Sequence, residues 1–166
     1  MPPQPETLIL NPNGWVPNNA TKPVLIYRGV VNTEGDAART AEEMFAGNGW
    51  PPEWRAGIYD YHHYHTTTHE ALAVVRGSGT VILGGPDGAE VKVRAGDVLV
   101  LPVGTGHCCP ASSDDFLVVG AYPPHVEWDN LREAPTQEML ARIANLPFPK
   151  SDPVGGPDGA LSALWT

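Results

Sequence analysis

The stretch from Arg55 to Pro123 leaves this chain little choice of fold, because it is cut into short apolar runs with almost nothing between them. They read RAGIYDYHHYH, EALAVVR, GTVILG, AEVKVR, DVLVLP and DFLVVGAY, divided by glycine, proline and aspartate. Runs of this length, rich in β-branched and aromatic residues and joined by tight turns, predict an antiparallel sandwich or barrel. GGPDGA at 84–89 has the chemistry of a hairpin turn, with proline and aspartate setting the bend and glycine free to take positive φ. TVILG, DVLVL and FLVV are apolar on both faces, so their outer face must be covered by an arm, a helix or a second subunit. A homodimer is the expectation.

The flanks read differently. Residues 1–22 are rich in proline and asparagine, lack a clean period and predict an arm, after which PVLIYRGVV at 23–31 predicts a strand. DAARTAEEMF at 36–45 predicts a short helix with Asp36 as its N-cap, stopped by GNGWPPEW. PTQEMLARIANL at 135–146 predicts a second helix, with Met139, Leu140, Ile143 and Leu146 near one face. The hexapeptide GGPDGA recurs at 155–160 as a reused turn rather than a structural repeat. A chain of 166 residues suits one domain, since about two thirds of its surface can be buried on folding. The expected organisation is one domain over 1–166: a barrel core at about 23–123, an N-terminal arm at 1–22, and a C-terminal helix and tail at 124–166.

Nineteen acidic against ten basic residues give a formal charge of -9, and the basic residues are scattered singly. Nucleic acid and anionic membrane are therefore not expected partners, because both need a positive footprint. No apolar stretch reaches about 18 residues and MPPQPETLIL lacks the pattern of a signal peptide, so a soluble, cytoplasmic protein is expected. Cys108 and Cys109 are adjacent, point apart in a strand, and suit a reducing compartment.

The chemistry concentrates in YHHYHTTTHE at 61–70, which holds four of the six histidines. In a strand, His63 and His65 share a face with Cα atoms about 6.6 Å apart, close enough for two imidazoles to converge on one ion. His62 and Tyr64 face the other way. Glu70 opens the next strand and can return its carboxylate to the same point. Two neutral imidazoles and a carboxylate are the donor set of divalent Fe, Mn, Ni, Cu or Zn. A helical pairing of His65 with His69 competes, but three successive threonines and the lack of an apolar stripe count against it. A fourth donor is available downstream, where the strand and turn of DVLVLPVGTGHCCP deliver His107.

At this point the sequence resembles the cupin family. Its first motif (glycine, five residues, HxH, three or four residues, glutamate, six residues, glycine) is met by Gly57, His63, His65, Glu70 and Gly77. Its second (glycine, five residues, PxG, two residues, histidine, three residues, asparagine) is met by Gly96, Pro102, Gly104 and His107, with Ala111 in place of asparagine. The resemblance implies an all-β, double-stranded β-helix (jelly-roll) barrel with short flanking helices and arms. It also implies one divalent transition metal ion per chain at His63, His65, Glu70 and His107. More narrowly, the chain is similar to small bacterial single-domain cupins of unassigned activity that carry an HHxH stretch and a C-terminal Leu-Trp, here Leu164 and Trp165.

Extending the alternation from His63 turns Tyr59 and Tyr61 inward as candidate substrate-orienting or proton-transferring residues, with Leu72 and Val74 following Glu70. An inward tyrosine in a barrel is more often a core residue with a satisfied hydroxyl than an acid-base catalyst, and Cys109, on the face of His107, reads more strongly still as a small buried hydrophobe. His62 and His69 face away from the ion, and His125 belongs to a surface loop. The expected function is a metal-dependent enzyme acting on a small molecule, dioxygenase-type oxidation first and isomerisation or epimerisation next; the alternative is a non-catalytic small-molecule-binding or sensing domain.

Overall fold

A computed structural model describes residues 2–166, among which lie nine strands and three helices. The larger sheet contains β1 (Glu6–Leu8), β2 (Val24–Tyr27), β3 (Pro52–Ala56), β4 (Glu70–Arg76), β7 (Val98–Leu101) and β9 (Leu117–Ala121), in the order β1-β2-β7-β4-β9-β3. The smaller contains β5 (Ser78–Leu83), β6 (Ala89–Arg94) and β8 (His107–Ser112), in the order β6-β5-β8. The pairings within both sheets are antiparallel. GGPDGA at 84–89 closes the β5–β6 hairpin, whose register pairs Leu83 with Ala89.

Alternation along β4 explains why its run is apolar throughout. Leu72 and Val74 pack with Val81, Leu83, Val91, Leu99, Leu101 and Val118 in a core between the sheets. Ala71, Ala73 and Val75 point outward and pack with Val98, Val100 and Val119 in a second core. That outer core is covered by α1 (Ala37–Gly47), through Ala41 and Phe45, and by Trp50, Leu161 and Trp165. The Asp36 side chain accepts from the Arg39 amide at 3.1 Å and caps α1 as the sequence predicts. The cover that the apolar strands demanded is thus supplied within the chain.

Three features differ from the sequence reading. Three residues of the N-terminal arm form β1, which extends the large sheet by pairing with β2. The helix near the C-terminus, α2 (Gln137–Asn145), starts after Thr136 and buries Ile143 of its apolar positions while leaving Leu140 exposed. The tail ends in a short α3 (Leu161–Leu164), followed by Trp165, which is 1 % exposed and donates Nε1–H to the Pro23 carbonyl at 2.8 Å. Among the described residues no helix is long and apolar enough to cross a membrane.

The feature that positions the site is the chain between β3 and β4. After pairing with β9, it leaves the large sheet and joins the small one. The Cys109 amide donates to the Tyr59 carbonyl at 2.9 Å, and His63 and His107 exchange backbone hydrogen bonds of 3.2 and 2.9 Å.

Candidate metal centre

That backbone exchange places His63 beside His107 at the start of β8, with ring centroids 4.0 Å apart. His65 follows on the same side, 5.3 Å from the His107 ring, while Tyr64 turns away, fully buried, and donates its hydroxyl to the Glu133 carbonyl at 2.5 Å. The period of two therefore holds across 63–65, although only an isolated bridge forms there. The turn before His107 is fixed by close approach: Gly104 takes φ +91° and donates to the His65 carbonyl at 2.9 Å. A Cβ at that position would meet the Asn18 carbonyl oxygen at 2.8 Å. Asn18 also accepts from the Gly106 amide at 2.9 Å, so the N-terminal arm braces the turn that carries His107.

Each imidazole is oriented by a backbone carbonyl. Nδ1–H donates to Tyr61 from His63 at 3.1 Å and to Thr105 from His107 at 3.0 Å, and from His65 it donates to Asp129. One ligand atom from each ring lies within 4.8 Å of the others. Anchoring Nδ1 fixes the tautomer and leaves Nε2 for coordination, the arrangement in which a histidine ligates best. Glu70, at the first position of β4, brings Oε1 to 3.2 Å from His65 Nε2 and 3.0 Å from His107 Nε2. The four side chains are buried, yet their rings and carboxylate line a cavity of about 270 Å³.

The electrostatics follow from this crowding. Burial, helped by neighbouring His107, pushes the His63 pKa down to about 3, so the ring is neutral. Burial works against charge on His65 too, but the Glu70 carboxylate outweighs it and raises that pKa. Burial alone would raise Glu70; His65 and His107 overcome it and hold the carboxyl well below its usual range. The remaining oxygen, Oε2, accepts from the Tyr122 hydroxyl at 2.8 Å, and that hydroxyl in turn accepts from Trp54 Nε1 at 2.8 Å. Imidazole nitrogens aimed at one point beside an ionised carboxylate suit a first-row divalent cation.

The two tyrosines named from the sequence are placed differently from each other. Residues 57–62 do not continue as a regular strand, so the alternation that turned Tyr59 and Tyr61 inward does not extend to them. Tyr59 is 52 % exposed and lines the cavity; Tyr61 stacks on it at 4.7 Å, outside the lining, with the Arg132 guanidinium 3.8 Å from its ring centroid. Leu72 lines the cavity, whereas Cys109 joins the inter-sheet core. His69 is buried away from the centre, accepting from the Val103 amide at 2.9 Å and packing on Trp165 at 4.8 Å.

Sequence reasoning missed Tyr122, Trp54 and Trp128. Tyr122 had a readable signal, because Val118, Gly120 and Tyr122 share one face of a strand of period two and Val118 is an inter-sheet residue. Trp128, stacked on Tyr122 at 4.3 Å and 11°, comes from the irregular segment after β9 and had none.

Comparison with known proteins adds four similarities. Residues 52–119 match the model described as Cupin domain. The chain is 33% identical over 162 residues to YjlB, an uncharacterized protein of Bacillus subtilis strain 168, with 96% of each chain covered. Among solved structures it is similar to acireductone dioxygenase from Bacillus anthracis with a cadmium ion in its active centre (14% identity, TM-score 0.46, 65% of this chain and 82% of that one). It is likewise similar to a single-residue mutant of Bacillus subtilis oxalate decarboxylase (17%, 0.40, 68% and 28%).

Proposed function

We propose, from the premise that the chain belongs to the cupin superfamily, that it is a metal-dependent enzyme acting on a small molecule in the cavity. The carrying observation is that three buried imidazoles, each tied to a carbonyl through Nδ1, converge beside the Glu70 carboxylate at the cavity wall. His63, His65, His107 and Glu70 would hold one divalent ion of Fe, Mn, Ni, Zn or Cu. Such an ion supplies Lewis acidity and open positions for an oxygen-bearing substrate. We assign the two sheets to one closed jelly-roll barrel domain over 1–166.

The chain's own residues then have distinct tasks. Tyr122 and the two histidines keep Glu70 ionised and fixed. Tyr59 meets substrate at the mouth, and Tyr61, sandwiched between Tyr59 and Arg132, positions it. Oxidation of dioxygenase type is the first reading and isomerisation or epimerisation the next, for which Tyr59 rather than Tyr122 would carry the proton, since the Tyr122 hydroxyl is engaged as both donor and acceptor.

Elemental analysis of protein purified without added metal tests this reading, followed by oxygen uptake with candidate substrates. About one equivalent of iron or manganese with substrate-dependent oxygen consumption is the expected result. Tight zinc without turnover would favour the non-catalytic alternative. Absence of stoichiometric metal after reconstitution, with His63→Ala changing nothing, would overturn the assignment.

A further inference from the structure

We infer that the cavity selects a single-ring aromatic molecule that carries its oxygen donors at one end only, such as an aromatic acid or phenol. This inference rests on the metal-site reading above and names the substrate class for it. The cavity is two-sided in chemistry. Its donors are the three histidines and Glu70, which cluster together, while the rest of the wall includes Trp54, Ile58, Tyr59, Leu72, Tyr122 and Trp128.

Among the described residues no lysine or arginine lines the cavity, and Asn130 provides the neutral amide there. Arg132 is engaged on the face of Tyr61, outside the lining. A substrate with carboxylates at both ends would leave one of them among largely apolar rings without a cation, a desolvation that the neutral donors of Asn130 and Tyr59 offset only in part. An aromatic ring meets the opposite condition, because indole and phenol faces favour offset stacking or edge contact. The Trp54, Tyr122 and Trp128 rings are already held by the Trp54–Tyr122 hydrogen bond and the Tyr122–Trp128 stack, so little side-chain freedom is lost when a ligand packs on them.

Size narrows the class. A cavity on the order of 150 Å³ accepts benzene, and this one measures about 270 Å³. One substituted ring fits within that space.

The test compares benzoate with fumarate on the metal-loaded full chain by isothermal titration calorimetry, with metal content measured before and after. Both probes are planar and offer one carboxylate to the metal; they differ in what the far end presents. Benzoate is expected to bind at least tenfold more tightly than fumarate. Trp128→Ala, and separately Trp54→Phe should the first variant fold poorly, is expected to weaken benzoate at least fivefold and fumarate little. Equal or tighter binding of fumarate, or benzoate affinity that neither substitution changes, would overturn the inference. Failure to load metal would refute the metal reading, whereas normal loading without aromatic preference refutes the substrate class alone.

Discussion

Tyr122 donates its hydroxyl hydrogen to Oε2 of Glu70 at 2.8 Å, while Oε1 of the same carboxylate faces His65 and His107. One phenol thus fixes the rotation of a carboxylate whose other oxygen serves the histidine cluster. Tyr122→Phe keeps the ring and its stack on Trp128 but deletes this bond. Metal affinity, measured by competition with a chromogenic chelator, is expected to fall about 10–100-fold, the range for loss of a partner that orients a metal-site residue.

The donors themselves differ in what their loss leaves behind. His63→Ala and His107→Ala are each expected to reduce bound metal at least tenfold by elemental analysis. Glu70→Ala does the same and also removes the charge that raises the His65 pKa, so burial then governs that ring. Its pKa, followed by NMR titration of metal-free protein, is expected to fall relative to the unsubstituted protein, with Asp129 still favouring the charged ring.

Position 69 gives the fold a pH dependence of its own. Burial pushes the His69 pKa from 6.5 down to about 3. Between those values the unfolded chain carries a proton there and the folded chain does not. Stability is therefore undiminished above pH 6.5 and falls as pH drops toward 3, by up to about 1.4 kcal/mol per pH unit from this group. His69→Asn, which retains an acceptor for the Val103 amide, is expected to flatten that slope relative to the wild type in urea titrations from pH 7 to 4. An unchanged slope would refute the assignment.

Trp165 supports the fold without touching the metal site. It is buried against His69, and its indole N–H reaches the Pro23 carbonyl. Trp165→Ala is expected to cost about 3–5 kcal/mol in chemical unfolding, while the metal stoichiometry of the protein that remains folded stays unchanged.

Much of this centre can be read from spacing alone, and the reason is local. His63, Tyr64 and His65 obey the period of two, Glu70 opens a strand, and the turn at Pro102–Gly104 delivers His107. The aromatic wall depends on pairing between distant segments. Trp54 reaches Tyr122 because β3 lies beside β9, and because Gly120 leaves its place open: a Cβ there would meet the Trp54 ring at 2.1 Å. Tyr59 reaches the cavity wall and Tyr61 does not, because residues 57–62 follow the chain's crossing between sheets and do not keep the strand alternation. The outer cover was foreseen as a need, but the choice of α1 and the Leu161–Trp165 end as its source rests on packing between separate segments of the chain, which no local pattern encodes.

The segment after β9 serves two masters at adjacent positions. Trp128 forms the wall against Tyr122, and the next residue, Asp129, receives the Nδ1–H of His65 on its carbonyl and the Thr66 amide on its side chain at 2.7 Å. Any exchange of residues that reshapes this wall for a new ligand also tugs on a metal-site histidine. Ligand binding and the orientation of His65 are thereby coupled through two neighbouring residues of one segment.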